Sequence, residues 1–257
     1  LKNKAKKINT LVPWVKQASL RQPIITSANK CFIYNKNKEI VDFTSGLMVV
    51  NLGHNNKYIK QGFNQYMNRG TSFVTPSTFT TYEREKLSSR ICDTINFTNG
   101  KVFYTNGGAD ANEVALFIGN NYTGKNKTVS FKHSFHGGSS IASCIVSGDP
   151  RREKKTEYYD LPLHPIIENP SMIDSGKETL KQIDNLFSTD KNIGSFILEG
   201  SSGSAGIYLY PEFCKPSPVV WKDSNAPLNV SPFWARNLIF LFCSAFASIF
   251  SVVTQLE

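Results

Sequence analysis

The sequence NGGADANE, residues 106–113, lies between a run that predicts a β-strand and a run that predicts an α-helix. The strand is predicted at residues 102–104, which are all β-branched or aromatic. The helix is predicted from small and apolar residues that recur on one face, at Ala111, Val114, Ala115 and Ile118. At such a strand-to-helix turn, glycines let a ligand approach the backbone, and the free amides and dipole of the helix favour an anion. The pattern predicts a site for a phosphorylated ligand.

The turn alone also has a structural interpretation. Two glycines before a helix are more often a tight connection than a ligand site. Glu113 lies in the first turn, where a carboxylate compensates the helix dipole, and Asp110 is a candidate N-cap. The sequence around the turn is needed to decide between the two interpretations.

Short segments that match one enzyme family occur in order over about residues 11–212. They are PW (13–14), VDFTSGL (41–47), NLGH (51–54), KVFYTNGGA (101–109), ANE (111–113), YTG (122–124), FHG (135–137), GDPRR (148–152) and FILE (196–199). In these segments the chain resembles the class III pyridoxal-phosphate-dependent aminotransferases, which include the ω-amino acid:pyruvate and taurine:pyruvate transaminases. No single segment is decisive, but their joint order is specific.

The resemblance implies a binding site for pyridoxal 5'-phosphate. In the family, the backbone at the positions of Gly108 and Ala109 holds the cofactor phosphate, and the aromatic residue at Phe135 stacks on the pyridine ring. Glu199 corresponds to a family glutamate that lies beside the cofactor. His136 is expected to orient the turn next to Phe135, without a role in proton transfer.

The resemblance also implies that Trp14 and Leu47 lie at the substrate entrance. Two positions depart from the family pattern. Asp110 stands where the family usually has glutamate, and Gly200 stands where it has proline. The second change loosens a turn that proline would stiffen.

Two groups that the chemistry requires are not found. Pyridoxal phosphate acts as an electron sink, so its enzymes need an aspartate at the pyridinium nitrogen and a lysine that forms the Schiff base. The family match stops at about Pro211-Glu212, and no Asp-Glu-Val segment follows. Lys215 and Lys222 are the only lysines beyond that point, and neither is assigned the catalytic role because both lie among prolines and loop-like sequence. We therefore expect this chain, which starts at Leu1, to be a fragment and to be nearly inactive alone.

The last part of the sequence is strongly apolar. Residues 233–253 are interrupted only near their start by Arg236 and Asn237, and the uncharged run 238–253 is shorter than the ~20 residues that span a bilayer. Three interpretations are open: a short membrane anchor, a buried helix, or sequence unrelated to the enzyme. The third is favoured because the run begins where the family pattern ends and lacks helical amphipathicity.

Composition indicates a globular α/β protein, with 40% hydrophobic and 19% charged residues in 257. The net charge of +9 indicates a solvated basic surface rather than nucleic-acid binding, since no binding motif accompanies it. The odd, scattered set of cysteines predicts reduced thiols in an intracellular protein, with the cytoplasm favoured over a mitochondrial or membrane-associated location. These cysteines are Cys31, Cys92, Cys144, Cys214 and Cys243.

Other kinds of site are not supported. His133 and His136 are three residues apart, but a zinc site needs three or four ligands and no further ligand is near in sequence. The serine-rich run 200–206 does not fit the Gly-x-Ser-x-Gly turn of a hydrolase at any serine. We expect no metal.

The resemblance implies three parts: the start of the family's small α+β domain at 1–50, the first part of its cofactor-binding large domain at 51–212, and a divergent apolar tail at 213–257 outside the match. A strand pair is predicted at 32–34 and 40–43, and helices at 56–69 and 80–92. Alternating strand and helix units at 101–119, 128–145 and 193–199 predict a mainly parallel sheet. The charged, Pro- and Tyr-rich residues 150–170 predict a long surface connection.

The resemblance thus implies a fold of the aspartate-aminotransferase type, fold type I among pyridoxal-phosphate enzymes, in a homodimer. The expected reaction moves an amino group from an amine or ω-amino acid to a keto acid such as pyruvate. The alternative is a truncated, non-enzymatic paralogue that binds a partner or a phosphate ligand, with its tail as an anchor.

Overall fold

The structure is a computed structural model. It describes residues 10–12, 16–17, 22–36, 38–70, 73–94, 100–149, 151–161, 164–170 and 176–199, with backbone only at Met48, Arg151, Lys155, 239–242 and 251–254. The chain divides into two compact units, Leu1–Val74 and Thr75–Glu257. The three-part division at residues 50 and 212 stays a prediction, and most of the predicted tail lies outside the described residues.

The first unit contains a three-stranded antiparallel sheet. Strand β2 (Phe32–Asn35) lies in the middle, between β1 (Ser27–Asn29) and β3 (Lys38–Val41). The strand pair predicted at 32–34 and 40–43 is confirmed, although the second strand ends at Val41. It is followed by a short turn of helix, α1 (Ser45–Met48).

Helix α2 (Lys57–Asn68) confirms the helix predicted at 56–69. Its N-cap is Asn56, whose side chain accepts hydrogen bonds from the amides of Tyr58 and Ile59. One face of the helix is apolar but exposed. The exposed fractions are 47% at Ile59, 68% at Phe63 and 57% at Met67.

The second unit alternates helices and strands over most of its length. Its elements up to residue 145 are α3 (Tyr82–Thr94), β4 (Lys101–Tyr104), α4 (Gly108–Thr123), β5 (Lys127–Phe131) and α5 (Ile141–Ile145). They are followed by α6 (Arg151–Tyr159), β6 (Ile166–Ile167), α7 (Lys177–Thr189), β7 (Ile193–Leu198), β8 (Ile239–Phe242) and β9 (Ser251–Thr254). The strand and helix units predicted from the sequence are confirmed.

Four of these strands form a parallel sheet in the order β6-β5-β7-β8. The predicted parallel arrangement is therefore confirmed for this sheet. Strand β4 pairs instead with β9, in a separate antiparallel pair. At the centre of the parallel sheet, the hydroxyl groups of Thr128 and Ser195 lie 2.7 Å apart across β5 and β7, both fully buried.

Helices cover both faces of the parallel sheet. Alternate residues of β7 point to opposite faces, and every residue of this strand is buried. On one face Phe131 and Phe196 meet edge to face, with ring centroids 5.2 Å apart, and Phe187 of α7 packs against the same cluster. On the other face Ile197 packs against Leu116 of α4 and Ile145 of α5. The helices and the sheet thus form three layers, and α4 is held in place by its packing against the sheet.

Residues 150–170 differ from the prediction of a surface connection. They contain helix α6 (Arg151–Tyr159) and strand β6 (Ile166–Ile167). The helix buries Arg152 and Thr156 rather than an apolar stripe. Amphipathic periodicity could not reveal such a helix, because the side chains it buries are polar.

The apolar tail also differs from one of its interpretations. The described backbone forms strand β8 parallel to β7 and strand β9 antiparallel to β4, so a buried helix at these positions is wrong. Among the described residues, no helix has the length and apolar character needed to cross a bilayer. The cysteines in the described part, Cys31, Cys92 and Cys144, are free thiols.

Candidate functional site

The glycine turn joins the end of β4 to the start of α4, as the sequence predicts. Gly107 is the N-cap and has extended backbone angles, with φ −166° and ψ 165°. The hydroxyl of Thr105 donates to the carbonyl of Gly107 at 2.9 Å, which stabilises the turn. A glycine N-cap supplies no side chain to the first turn, so the amides of Gly108 and Ala109 remain available to an anion.

The loop after β5 packs against this first turn. Gly137 has φ +137°, and a Cβ built there would lie 2.8 Å from the Cβ of Ala109 and would overlap the hydroxyl of Ser143. No side chain larger than hydrogen fits without displacing one of them. The structure thus brings the predicted FHG segment next to the predicted phosphate-binding turn.

Glu199 follows the last residue of β7 and is 7% exposed. Its carboxylate oxygen Oε1 accepts a hydrogen bond from the amide of Phe135 at 2.6 Å. Two residues that the sequence predicts for one site, 64 positions apart, are therefore in direct contact. The Phe135 ring is half-buried and lies over the backbone of Gly138, where a Cβ would be 3.6 Å from the ring.

His136 is the most buried residue of the loop, with an exposed fraction of 1%. Neither ring nitrogen has a hydrogen-bond partner among the described residues. Burial without a compensating charge lowers the pKa of His136 to about 3, so the imidazole is neutral at physiological pH. We predict no proton-transfer role for this ring, and that prediction remains to be tested.

The backbone N–H and the backbone carbonyl of His136 are each bound by a buried side chain. The amide Nδ2 of Asn112 donates to the carbonyl oxygen of His136 at 2.5 Å. The N–H of His136 donates to the hydroxyl of Ser147 at 2.9 Å, and that hydroxyl donates to the carbonyl of Ser143 at 2.8 Å.

These two contacts were not predicted from the sequence. Asn112 was recognised only as part of a family segment, and Ser147 carries no motif. The one available signal is that asparagine inside a helix is unfavourable unless its side chain has a partner. Glu113, whose simplest role is dipole compensation, instead accepts a hydrogen bond from the amide of Ser143 at 3.2 Å, at the start of α5.

The role of Trp14 and Leu47 at the substrate entrance stays a prediction. Trp14 lies outside the described residues. Leu47 belongs to the first unit, is 63% exposed and has a left-handed backbone with φ 64°. Ser45 and Gly46 share this conformation, with φ 48° and 58°.

The carboxylate of Asp42 stabilises this left-handed turn. It accepts hydrogen bonds from the amide of Gly46 at 2.8 Å and the hydroxyl of Thr44 at 3.1 Å, and it lies 2.9 Å from Nε2 of His54. The hydrogen bond to His54 is the main reason why the pKa of Asp42 lies below its usual value. The His54 ring is therefore occupied by a structural contact with Asp42.

A metal site needs several ligating side chains that converge on one point. Within the ranges that the structure describes, no group of three or more His, Cys, Asp or Glu side chains converges on a point that a metal ion would occupy.

The second unit therefore presents a helix N-terminus for an anion, an aromatic residue on the loop that packs against this helix start, and a carboxylate that binds the amide of that aromatic residue. An anionic group attached to a flat ring fits these three features. Pyridoxal phosphate has this chemistry, and the geometry on the protein side agrees with the site that the sequence predicts. The individual cofactor contacts of Gly108, Ala109, Phe135, His136 and Glu199 stay predictions.

Comparison with known proteins was made by sequence and by structure. A profile of the family described as aminotransferase class-III matches residues 15–215. An acetylornithine aminotransferase from Bacillus cereus is 38% identical over 105 residues, which make up 41% of this chain and 26% of that protein. An acetylornithine aminotransferase from Archaeoglobus fulgidus is 24% identical over 195 residues, or 75% of this chain and 48% of that protein.

Among solved structures, a taurine:2-oxoglutarate aminotransferase from Bifidobacterium kashiwanohense, in complex with PLP and glutamate, superimposes with a TM-score of 0.71. It is 26% identical, and the match covers 79% of this chain and 48% of that chain. An amine transaminase from an uncultivated Pseudomonas species shares the fold, with a TM-score of 0.70 at 18% identity. These similarities confirm the predicted fold, and the matched part is about a quarter to a half of each relative's length.

Proposed function

Since the chain belongs to the class III aminotransferases, we propose that it binds pyridoxal 5'-phosphate and forms part of a transaminase. The reaction we propose moves an amino group from an amine or ω-amino acid to a keto acid such as pyruvate. The single observation that carries the proposal is the contact between three predicted site segments. The first turn of α4 touches Gly137, and the amide of Phe135 is bound by Glu199.

Each residue has a separate task in this proposal. The amides of Gly108 and Ala109 bind the phosphate at the positive end of the helix dipole. The face of the Phe135 ring holds the ligand ring flat, and Glu199 holds Phe135 through its backbone. When bound, pyridoxal phosphate supplies an electron sink for the substrate carbanion. The buried, neutral His136 excludes water from the interior side of the loop.

The substrate class is proposed from the similar proteins as well as from the resemblance. Acetylornithine and taurine are the substrates in the names of two of them. Both molecules carry a primary amine at the end of a short chain. A terminal primary amine is therefore the donor group that we propose, with a keto acid as acceptor.

A homodimer is the assembly that we propose for the complete enzyme. The apolar face of α2 supports it, because Ile59, Phe63 and Met67 are about half or more exposed and lie on successive turns of the helix. No charged residue separates Phe63 from Met67 in the sequence.

Cofactor binding by the 257-residue chain tests the proposed function directly. No Schiff-base lysine is assigned in this sequence, so binding rather than turnover is the quantity to measure. We expect pyridoxal phosphate to bind reversibly, and Phe135→Ala to weaken binding about fivefold to tenfold through loss of aromatic contact. Isothermal titration calorimetry or quenching of protein fluorescence gives the dissociation constant.

Phe117→Ala is the matched control, since Phe117 lies on α4 and is 68% exposed. It should leave the dissociation constant unchanged. A wild-type chain that is folded by circular dichroism but has no measurable affinity would refute the proposal. Equal weakening by both phenylalanine variants would refute the role of Phe135.

A further inference from the structure

The backbone N–H and carbonyl of His136 are bound in an unusual way. Buried backbone groups mostly pair with other backbone groups, in helices and sheets. Here the carbonyl of His136 is bound by the side chain of Asn112, and the N–H of the same residue is bound by the side chain of Ser147. Both side chains are almost fully buried, with exposed fractions of 3% and 1%.

Asn112 lies on α4, the helix whose first turn carries the proposed phosphate-binding amides. Ala109 lies three residues earlier, on the same side of the helix, in the turn that we propose binds the phosphate. One helix therefore carries both the phosphate-binding amides and the donor that binds the aromatic loop. A change in the position of the loop relative to the helix start would break the hydrogen bond from Asn112.

The neighbouring residues of the loop are bound independently. The amide of Phe135 is bound by Glu199, and Gly137 is packed against Ala109. These contacts locate the chain before and after His136. The hydrogen bond from Asn112 runs directly from α4 to the loop and adds a polar contact to these two.

We propose that Asn112 is a positioning residue, assisted by Ser147, that sets the Phe135 ring at a fixed place relative to the first turn of α4. The proposal rests on the proposed function, because it concerns how this site accepts a ring together with a phosphate. It predicts that replacing Asn112 lowers the affinity for a ligand that carries both a ring and a phosphate, but not the affinity for phosphate alone. That difference separates positioning from general support of the helix.

The test uses the full 257-residue chain and two probes, pyridoxal phosphate and inorganic phosphate. Asn112→Leu keeps a side chain of similar size but removes the donor. We expect the affinity for pyridoxal phosphate to fall about tenfold, while the affinity for inorganic phosphate stays within about twofold. Amide hydrogen exchange of residues 131–139, followed by mass spectrometry, should become at least about tenfold faster.

Asn121→Leu is the matched control. Asn121 lies on the same helix, and its Nδ2 also donates to a backbone carbonyl, that of Phe117 at 2.8 Å, but on the exposed side. It should change neither affinity nor the exchange of residues 131–139. Ser147→Ala removes the acceptor of the His136 N–H. It should lower the affinity for pyridoxal phosphate and speed up the exchange of residues 131–139, as Asn112→Leu does, but by smaller factors. This variant carries the test if Asn112→Leu does not fold.

Equal loss of affinity for both probes would overturn the proposal, because it would indicate damage to the helix start. Unchanged exchange of residues 131–139 in both variants would also overturn it. If the wild-type chain fails to bind pyridoxal phosphate, the proposed function fails. The exchange measurement still decides whether Asn112 and Ser147 position the loop.

Discussion

Gly137 has the backbone conformation and the surroundings that exclude any other residue. Its φ is +137°, and an added Cβ would overlap Ser143 and lie 2.8 Å from Ala109. We expect Gly137→Ala to lower the free energy of unfolding by about 2–4 kcal/mol, from backbone strain together with displacement of the loop. Urea denaturation monitored by circular dichroism measures the change.

Gly138→Ala serves as the control for this prediction. A Cβ at Gly138 would make ordinary contact with the Phe135 ring, at 3.6 Å and beyond. This variant should change the free energy of unfolding by less than about 1 kcal/mol. Similar losses in the two alanine variants would contradict the argument from backbone conformation.

The site could be predicted from the sequence where its residues form a local motif. Gly108, Ala109 and Phe135 belong to short segments that resemble those of the family, and their contacts with the cofactor stay predictions. Asn112 and Ser147 could not be predicted, because their role depends on the position of a loop that is 24 and 11 residues away from them, measured to His136. Only the folded chain shows that these two side chains bind the backbone carbonyl and N–H of the same residue.

At the level of elements, helix α6 is attached to the rest of the unit by polar groups. The guanidinium of Arg152 donates to the carbonyl of His164 at 3.0 Å and lies 3.5 Å from that of Ser147. The hydroxyl of Thr156 donates to the carbonyl of Arg152 at 2.6 Å. Burial lowers the pKa of Arg152 from its usual value, but this group stays protonated under ordinary conditions.

We expect Arg152→Lys to lower the free energy of unfolding by about 1–2 kcal/mol, because a single ammonium cannot reach both carbonyls in the planar geometry of arginine. Chemical denaturation at constant pH measures it. Arg90→Lys, on the exposed side of α3, is the control and should be neutral within about 0.5 kcal/mol. A neutral Arg152→Lys variant would show that α6 is held by other contacts.

Sequence patterns predicted most elements of the second unit but not this one. Strand β5 and helix α4 have the apolar periodicity that core packing imposes, and their positions agree with the prediction. Residues 150–170 lack that periodicity, because Arg152 and Thr156 take the buried positions. Arg152 can be buried because the tertiary structure brings the carbonyls of Ser147 and His164 to its guanidinium, whereas the hydroxyl of Thr156 binds the carbonyl of Arg152 within the helix.

For the whole molecule, two buried histidines make stability depend on pH. Burial lowers the pKa of His136 to about 3 and that of His164 to about 4, with Arg152 adding to the second effect. In the unfolded chain both would titrate near 6.5, so below that pH the unfolded state binds protons that the folded state does not. Stability is therefore expected to fall as the pH decreases from 6.5 towards 4.

We expect the free energy of unfolding to fall by about 2 kcal/mol per histidine between pH 7 and pH 5. Urea denaturation at several pH values measures the slope. His164→Asn removes one titrating group and keeps an acceptor near Nδ1, which accepts from the amide of Thr128 at 3.0 Å, so the slope should be about halved. An unchanged slope in this variant would show that other groups control the pH dependence.

The paired hydroxyls of Thr128 and Ser195 have a consequence for how β5 and β7 find each other during folding. Slippage of β7 by one position would turn Ser195 towards the opposite face of the sheet, where Phe131 and Phe187 lie, and would leave two hydroxyls without partners. Each unpaired hydroxyl would cost about 1–3 kcal/mol, although the correct pair contributes only about 1 kcal/mol. The main effect of the pair is therefore to destabilise misaligned sheets. It increases the difference in free energy between the native strand alignment and the slipped ones.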